Sequence, residues 1–192
     1  MTHMTATIRA FIAIELPPDV KQELGRTGQS LALQMPPRLV RWVQPGNIHL
    51  TLRFLGDTAV AQLSSLGQQL DELAAHHLSF SLQLGRLGCF PNVKRPRVIW
   101  VGIAGAKAPL WTLKQELDER LIPLGWAAED KSFSAHLTIG RVNDGRLPAT
   151  LNWDIPISPL PFAVHAIHLI ESRLTPKGPL YTTRHTAVLR QP

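Results

Sequence analysis

The sequence contains a single cysteine, Cys89, among its 192 residues. One cysteine can form neither an internal disulfide nor a cysteine-rich metal site, so a reducing compartment is expected. The sequence also lacks any run of eighteen apolar residues, which a membrane-spanning helix would need. The apolar run at residues 11–14 is too short for the hydrophobic region of a signal peptide. These absences predict a soluble cytoplasmic protein that has no membrane partner.

Acidic residues are in the minority. Lysine and arginine number 20 against 14 aspartate and glutamate residues, which gives a net charge of +6 and a pI near 10.1. A basic surface favours a polyanionic partner, most commonly nucleic acid, although many basic proteins are simply soluble. With 44% hydrophobic residues the chain can bury a sizeable core, as one domain or as two small lobes.

Apolar periodicity divides the chain into strands and helices in a mixed order. It predicts strands at residues 8–16, 38–43, 48–55, 78–84, 97–103, 134–142, 162–174 and 181–190. It predicts helices after residue 19 and over residues 60–73 and 110–121. Strands joined by short turns and interrupted by single helices indicate an α+β fold of antiparallel sheets with helices packed outside. The repeated order of elements suggests an internal duplication, so residues 1–192 should form a single domain of two pseudo-symmetric lobes around a central cleft.

Local signals set the expected ends of several elements. Asp19 is predicted to cap the N-terminus of the first helix, and Pro36 to end it. Gly56 and Asp57 are predicted to end the strand that begins at residue 48. Residues 88–96 are predicted to form a basic loop between two strands.

One tetrapeptide pattern occurs in two predicted strands, as His49-Leu50-Thr51-Leu52 and as His136-Leu137-Thr138-Ile139. Side chains alternate between the faces of a strand, so the histidine and threonine of each copy share one face, about 7 Å apart, and the aliphatic pair shares the other. A third match to the bare pattern, His3-Met4-Thr5, has no strand around it and is attributed to chance.

Each copy alone is also explained as a half-exposed histidine and threonine at a sheet edge, where threonine is common. Two matching copies favour a shared polar site. A metal site is a rival interpretation, because His49 and His136 could both be ligands. Neither motif places a carboxylate at a fixed spacing, and threonine is a rare zinc ligand, so we expect no metal and no other cofactor.

The paired motifs resemble those of the 2H phosphoesterase superfamily, and more narrowly the bacterial and archaeal RNA 2′,3′-cyclic phosphodiesterases, also called 2′-5′ RNA ligases. Segments similar to that subfamily extend over nearly the whole chain: residues 9–14, 41–43, 49–56, 88–91, 97–102, 133–141 and 172–181. The sequence departs from the family at Ala135, where a proline usually precedes the second histidine, so a rigid lead-in to that histidine is lost.

The resemblance implies hydrolysis of a terminal 2′,3′-cyclic phosphate of RNA to a 2′-phosphomonoester, and it allows the reverse reaction, a 2′-5′ ligation. Two imidazoles can supply the base and the acid of this reaction near neutral pH without a metal. Thr51 and Thr138 are expected to hold the non-bridging phosphate oxygens. Symmetry leaves the roles of the two histidines open, and the resemblance implies that His49 donates a proton while His136 accepts the proton of water.

Three further residues are candidates for substrate contact. By alternation Arg53 shares the face of the first motif, whereas Phe54, which could stack on a base, points to the core. The family resemblance implies that Arg141 is at a position that contacts the substrate. Alternation places it on the face opposite the second histidine unless the strand bends after Gly140. The densest basic cluster, Lys94, Arg95 and Arg97, could follow the RNA backbone or could simply be solvated.

The expected partners are RNA with 2′,3′-cyclic phosphate ends or cyclic nucleotides, bound by a monomer. Two alternatives stay open. The same cleft could bind RNA ends without chemistry, although permanently charged arginine or lysine would serve binding better than paired imidazoles. The same chemistry could also act on a cyclic phosphate of an ADP-ribose type metabolite or on 2′-5′ oligonucleotides.

Overall fold

The computed structural model describes residues 6–143, 146–176 and 178–191. Its strands are β1 (Thr7–Glu15), β2 (Val40–Trp42), β3 (His49–Ala59), β4 (Phe80–Phe90), β5 (Val98–Ala104), β6 (His136–Val142), β7 (Pro161–Val164), β8 (Ala166–Thr175) and β9 (Gly178–Val188). Its α-helices are α1 (Pro18–Ala32), α2 (Leu63–Ala74) and α3 (Ala108–Leu121). The third motif match, at His3, lies outside the described residues.

The two motif strands are neighbours in the middle of a continuous sheet. Its strand order is β7-β4-β5-β6-β3-β1-β8-β9, with β2 paired to β6, and the neighbouring strands run antiparallel. β3 and β6 pair through Leu50 and Leu137. β3 also pairs with β1, and β6 also pairs with β5. In both cases one α-helix lies between the two strands along the chain. The predicted α+β class, an antiparallel sheet with helices packed outside, is confirmed. The division into two pseudo-symmetric lobes stays a prediction.

The helices cover one face of the curled sheet, as their leucine spacing predicts. Leu24 and Leu31 of α1, Leu70 of α2 and the leucines of α3 are at most 1% exposed and pack in the main core. Burial of each such side chain stabilises the fold by about 1.5–3 kcal/mol. Within the described residues no helix is long and apolar enough to cross a membrane. The opposite face holds a small apolar cluster of Phe11, Ala13 and Ile170, and it is there that the polar motif residues lie.

Two predicted element ends are wrong. The N-cap of α1 is Pro17, and Asp19 lies in the first helical turn, because Pro18 fits the first helical position, where no amide donor is needed. β3 continues past Gly56 to Ala59. Gly56 adopts a left-handed φ of 70°, which glycine tolerates, and still pairs with Ala10.

Two other predicted segments are redistributed. β4 extends to Phe90, so the first three residues of the predicted basic loop are strand paired with β5. The single strand predicted at residues 162–174 is divided at His165. β7 pairs with β4 in one half of the sheet, and β8 pairs with β1 in the other, so this segment connects the two halves. β8 and β9 form the predicted hairpin.

Candidate active site

The two motifs meet on one face of the sheet. Leu50 and Leu137 are 0% exposed on the helix-covered face, whereas the histidine and threonine of each motif are half-buried on the other face. Because β3 and β6 are antiparallel about the Leu50–Leu137 pair, the histidine of each motif lies beside the threonine of the other. Two imidazoles and two hydroxyls are thereby brought together in a pseudo-symmetric set.

Both imidazoles are oriented by the same local hydrogen bond. The Nδ1 atom of His49 lies 2.9 Å from the carbonyl oxygen of Asn47, and that of His136 lies 2.6 Å from the carbonyl oxygen of Ser134. A carbonyl oxygen can only accept, so Nδ1–H is the donor in both rings. The Nε2 atom of each ring is therefore left for proton transfer.

Aromatic side chains surround each imidazole. His49 stacks on Phe11 at 4.6 Å between ring centroids and meets Tyr181 edge-on at 5.3 Å. His136 meets Phe90 edge-on at 5.0 Å. These contacts restrict the rings to one orientation, which a proton-transfer group requires.

On the second half of the site, the indole of Trp100 packs against the sheet near His136. Trp100 pairs with Thr138 across β5 and β6 and contacts Phe90 at 5.1 Å between ring centroids. The indole lies so close to Gly88 that an added Cβ there would come within 2.7 Å of three of its ring atoms. Gly88 is therefore required for this packing.

Burial controls the protonation of two groups on this face. Desolvation lowers the pKa of His49, and the Asn47 hydrogen bond and the charge of Glu15 oppose this only in part. Burial raises the pKa of the Tyr181 hydroxyl, against the positive charges of Arg141 and Arg9. In the free protein His49 is thus biased to the neutral form, and Tyr181 stays a protonated donor.

The expectation that Arg53 shares the face of the first motif is wrong. Ala13 pairs with Thr51 and Ile12 with Arg53, so one residue of β3 is left over between them, as in a β-bulge. The extra residue turns Arg53 to the helix side, where it is 6% exposed and forms an ion pair with Asp118 at 3.3 Å.

The same bulge brings Phe54 to the site face, against the alternation that placed it in the core. Phe54 pairs with Phe11, its ring centroid is 6.1 Å from that of Phe11, and its side chain is 63% exposed. An exposed ring in line with the aromatic group around His49 is available for stacking.

Arg141 also lies on the site face, because a second bulge reverses its side. Trp100 pairs with Thr138 and Ile99 with Gly140, which leaves Ile139 as the extra residue. The irregularity therefore precedes Gly140 rather than following it. Arg141 is exposed and pairs with Val98 on one side and Arg41 on the other.

Two arginines of this face were missed from the sequence. Arg41 is exposed directly opposite Arg141, and Arg9 shares the side of Phe11 on β1. Alternation from Phe11 could have identified Arg9, whereas Arg41 needed the register of β2 against β6. Lys94, Arg95 and Arg97 are exposed, and the Asn92 side chain accepts hydrogen bonds from the amides of Lys94 and Arg95.

No group of three or more histidine, cysteine, aspartate or glutamate residues that could hold a metal ion occurs over residues 6–143, 146–176 and 178–191.

Comparisons with known proteins point to one family. The family model of LigT-like phosphoesterases matches residues 14–100. Relatives named RNA 2′,3′-cyclic phosphodiesterase include one from Aquifex aeolicus, 31% identical over 91% of this chain and 94% of its own, and one from Thermotoga maritima, 33% identical over 91% of each chain.

Solved structures agree with this fold. A crystal structure from Thermus thermophilus has a TM-score of 0.81 and 30% identity, covering 96% of this chain and 99% of its own. Escherichia coli LigT in complex with 3′-AMP has a TM-score of 0.78 at 23% identity, covering 97% of this chain and all of its own, which speaks for the fold alone. The chain belongs to the LigT-like phosphoesterase family, within the 2H superfamily.

Proposed function

We propose that the protein hydrolyses terminal 2′,3′-cyclic phosphates of RNA to 2′-phosphomonoesters without a metal, with His49 and His136 as its acid–base pair. The observation that carries this proposal is the pairing of two imidazoles, each with Nδ1 bound to a carbonyl oxygen, with two threonine hydroxyls on one face. The names of the relatives, which specify this substrate, support it.

In the proposed reaction one imidazole accepts a proton from water as the water oxygen attacks phosphorus. The bond from phosphorus to the 3′ oxygen breaks, and the second imidazole donates a proton to that departing oxygen. Following the family resemblance, His136 is the base and His49 the acid. His49 is biased to the neutral form in the free protein, so the negative charge of the bound phosphate is what raises its pKa and protonates it.

The threonines hold the phosphate for this displacement. Thr51 and Thr138 each donate a hydroxyl hydrogen bond to a non-bridging oxygen, which fixes the line of attack and stabilises the charge that develops there. The two hydroxyls come from the neighbouring strands β3 and β6, so they bind the phosphate from two sides. Because one chain provides both motifs, a monomer suffices.

Two elements of the same face extend the site toward the rest of the substrate. Phe54, beside Phe11, is placed to stack on the terminal base, and Arg141, paired with Arg41, is placed to bind a phosphate. Arg53 is not part of this substrate surface, because its guanidinium is buried on the helix side.

The same acid and base serve both directions of the reaction, so a slow 2′-5′ ligation is included in the proposal. The rival is a module that binds RNA ends without chemistry. The shared orientation of both rings by backbone carbonyls favours catalysis, because binding alone does not require a defined tautomer. A cyclic phosphate of an ADP-ribose type metabolite is a further candidate substrate for the same groups.

The test uses purified protein with EDTA and a fluorescent RNA oligonucleotide that ends in a 2′,3′-cyclic phosphate. Turnover to the 2′-phosphate is expected, and His49→Ala and His136→Ala should each remove it. His76→Ala, which changes an exposed histidine away from the site, is the matched control. Absence of turnover in the wild type, or turnover that survives both active-site substitutions, would overturn the proposal. RNA binding without product would support the binding module.

A further inference from the structure

Arg53 connects the first motif strand to the segment that leads into the second motif. The segment, residues 126–135, is here called the lead-in segment. The Arg53 guanidinium donates a hydrogen bond to the carbonyl oxygen of Ala127 and forms an ion pair with Glu129 at 3.4 Å. Two residues further along β3, the carbonyl oxygen of Leu55 accepts a hydrogen bond from the indole nitrogen of Trp126 at 2.9 Å. The strand of His49 thus holds the start of the lead-in segment directly.

Helix α3 fixes the middle of the lead-in segment. Lys114 is 4% exposed, forms an ion pair with Glu129 at 2.9 Å, and shares Asp118 with Arg53. Its ammonium group also lies 5.4 Å from the ring centroid of Phe133. The two cations are buried and the two carboxylates are partly exposed, so the carboxylates compensate the buried positive charges.

The lead-in segment ends at the hydrogen bond that orients the second catalytic ring. Phe133 is followed by Ser134, whose carbonyl oxygen holds Nδ1 of His136. A displacement of Phe133 is therefore passed through one residue to the imidazole. Residue 135, directly before this histidine, is alanine, so no proline ring restricts the backbone there.

We propose that Arg53, through its ion pairs with Glu129 and Asp118, is a positioning residue that holds the lead-in segment and thereby orients His136. This inference rests on the proposed function for its catalytic consequence. It gives Arg53 a role on the face opposite the substrate and couples the two motifs in a way that their sequences do not reveal.

The test compares Glu129→Gln with Glu119→Gln, a change to an exposed carboxylate of α3 that accepts a hydrogen bond from Gln115. Glu129→Gln should lower kcat about tenfold and change KM less than about twofold, because the imidazole is misplaced while phosphate binding persists. The His136 ring resonances in NMR spectra should shift, and those of His49 should not. Glu119→Gln should leave all of these unchanged.

Variants at Arg53 provide the second comparison of this experiment. Arg53→Lys keeps the charge without the fork of two donors and should retain more of kcat than Arg53→Met. A lowered Tm of Glu129→Gln with unchanged kcat and unchanged His136 resonances would show a role in stability alone and overturn the inference. If the wild type turns over no cyclic phosphate, the proposed function fails, and the His136 resonances still decide the positioning role.

Discussion

Leu50 of the first motif pairs directly with Leu137 of the second, and both are completely buried. The two motif strands run antiparallel about this contact. It exposes the flanking histidines and threonines on the opposite face and sets each histidine beside the threonine of the other strand. The apolar pair Leu50 and Leu137 therefore stabilises the site from the helix-covered face of the sheet.

Loss of one threonine hydroxyl should impair catalysis without unfolding the protein. Thr51→Val replaces the hydroxyl with a methyl group of similar volume at a half-buried position. We expect kcat/KM on a cyclic-phosphate substrate to fall by about 10²–10³, since one donor to the developing charge is removed. Thr51→Ser should recover most of it. Equal activity of the valine variant and the wild type would remove this threonine from phosphate binding.

His49 should titrate below its ordinary pKa of 6.5, because burial disfavours the imidazolium. Between the lowered pKa and 6.5 the unfolded chain binds more protons than the folded one, so the free energy of unfolding should fall as the pH is lowered through this window. NMR titration of the His49 ring checks the pKa. Denaturant unfolding of His49→Gln should show a shallower fall with acid. A ring midpoint at or above 6.5 would contradict the desolvation argument.

Gly88→Ala should disturb the His136 side of the site through Trp100. The added Cβ would clash with the indole, and displacement of that ring carries Phe90 with it. Overpacking of this kind costs about 1–3 kcal/mol, so a lower Tm and reduced kcat are expected. Gly46→Ala is the control, since its Cβ would meet no atom within 4 Å. Similar Tm and kcat for both variants would count against the packing of the Trp100 indole on Gly88.

The Arg41–Arg141 pair should distinguish oligonucleotides from mononucleotides. Like charges directly across two strands destabilise a sheet, so removal of one should not lower the stability. Arg41→Ala should raise KM for an RNA oligonucleotide several-fold and reduce the salt slope of its binding by about 0.7. Steady-state rates on both substrates check this. An equal change in KM for a cyclic mononucleotide would show that Arg41 does not act through a further phosphate of the oligonucleotide.

The side chains of the site could be predicted from the sequence only in the part of each strand that precedes a bulge. His49, Thr51, His136 and Thr138 precede the irregularities of their strands, so simple alternation sorts their side chains correctly. The leucines of α3 follow helical spacing in the same way. These patterns depend only on local geometry, which the residue order contains.

Arg53, Phe54 and Arg141 were assigned to the wrong faces by the same rule. Each lies beyond a bulge, and one extra residue moves every later side chain of a strand to the other face. A bulge exists only relative to a partner strand. The partners, β1 for β3 and β5 for β6, are distant in the sequence.

The sequence by itself determined the two His-x-Thr strands, the α+β class and the residues proposed to carry the chemistry, because periodicity and repeated motifs are local properties. The tertiary structure decided which side chains accompany them: Phe54 and Arg141 on the site face, and Arg53 in an ion-pair cluster behind it. The reason is physical. Strand register is fixed by pairing and core packing across the whole sheet. A shift of one residue therefore moves a side chain from the site face to the helix-covered face, or the reverse.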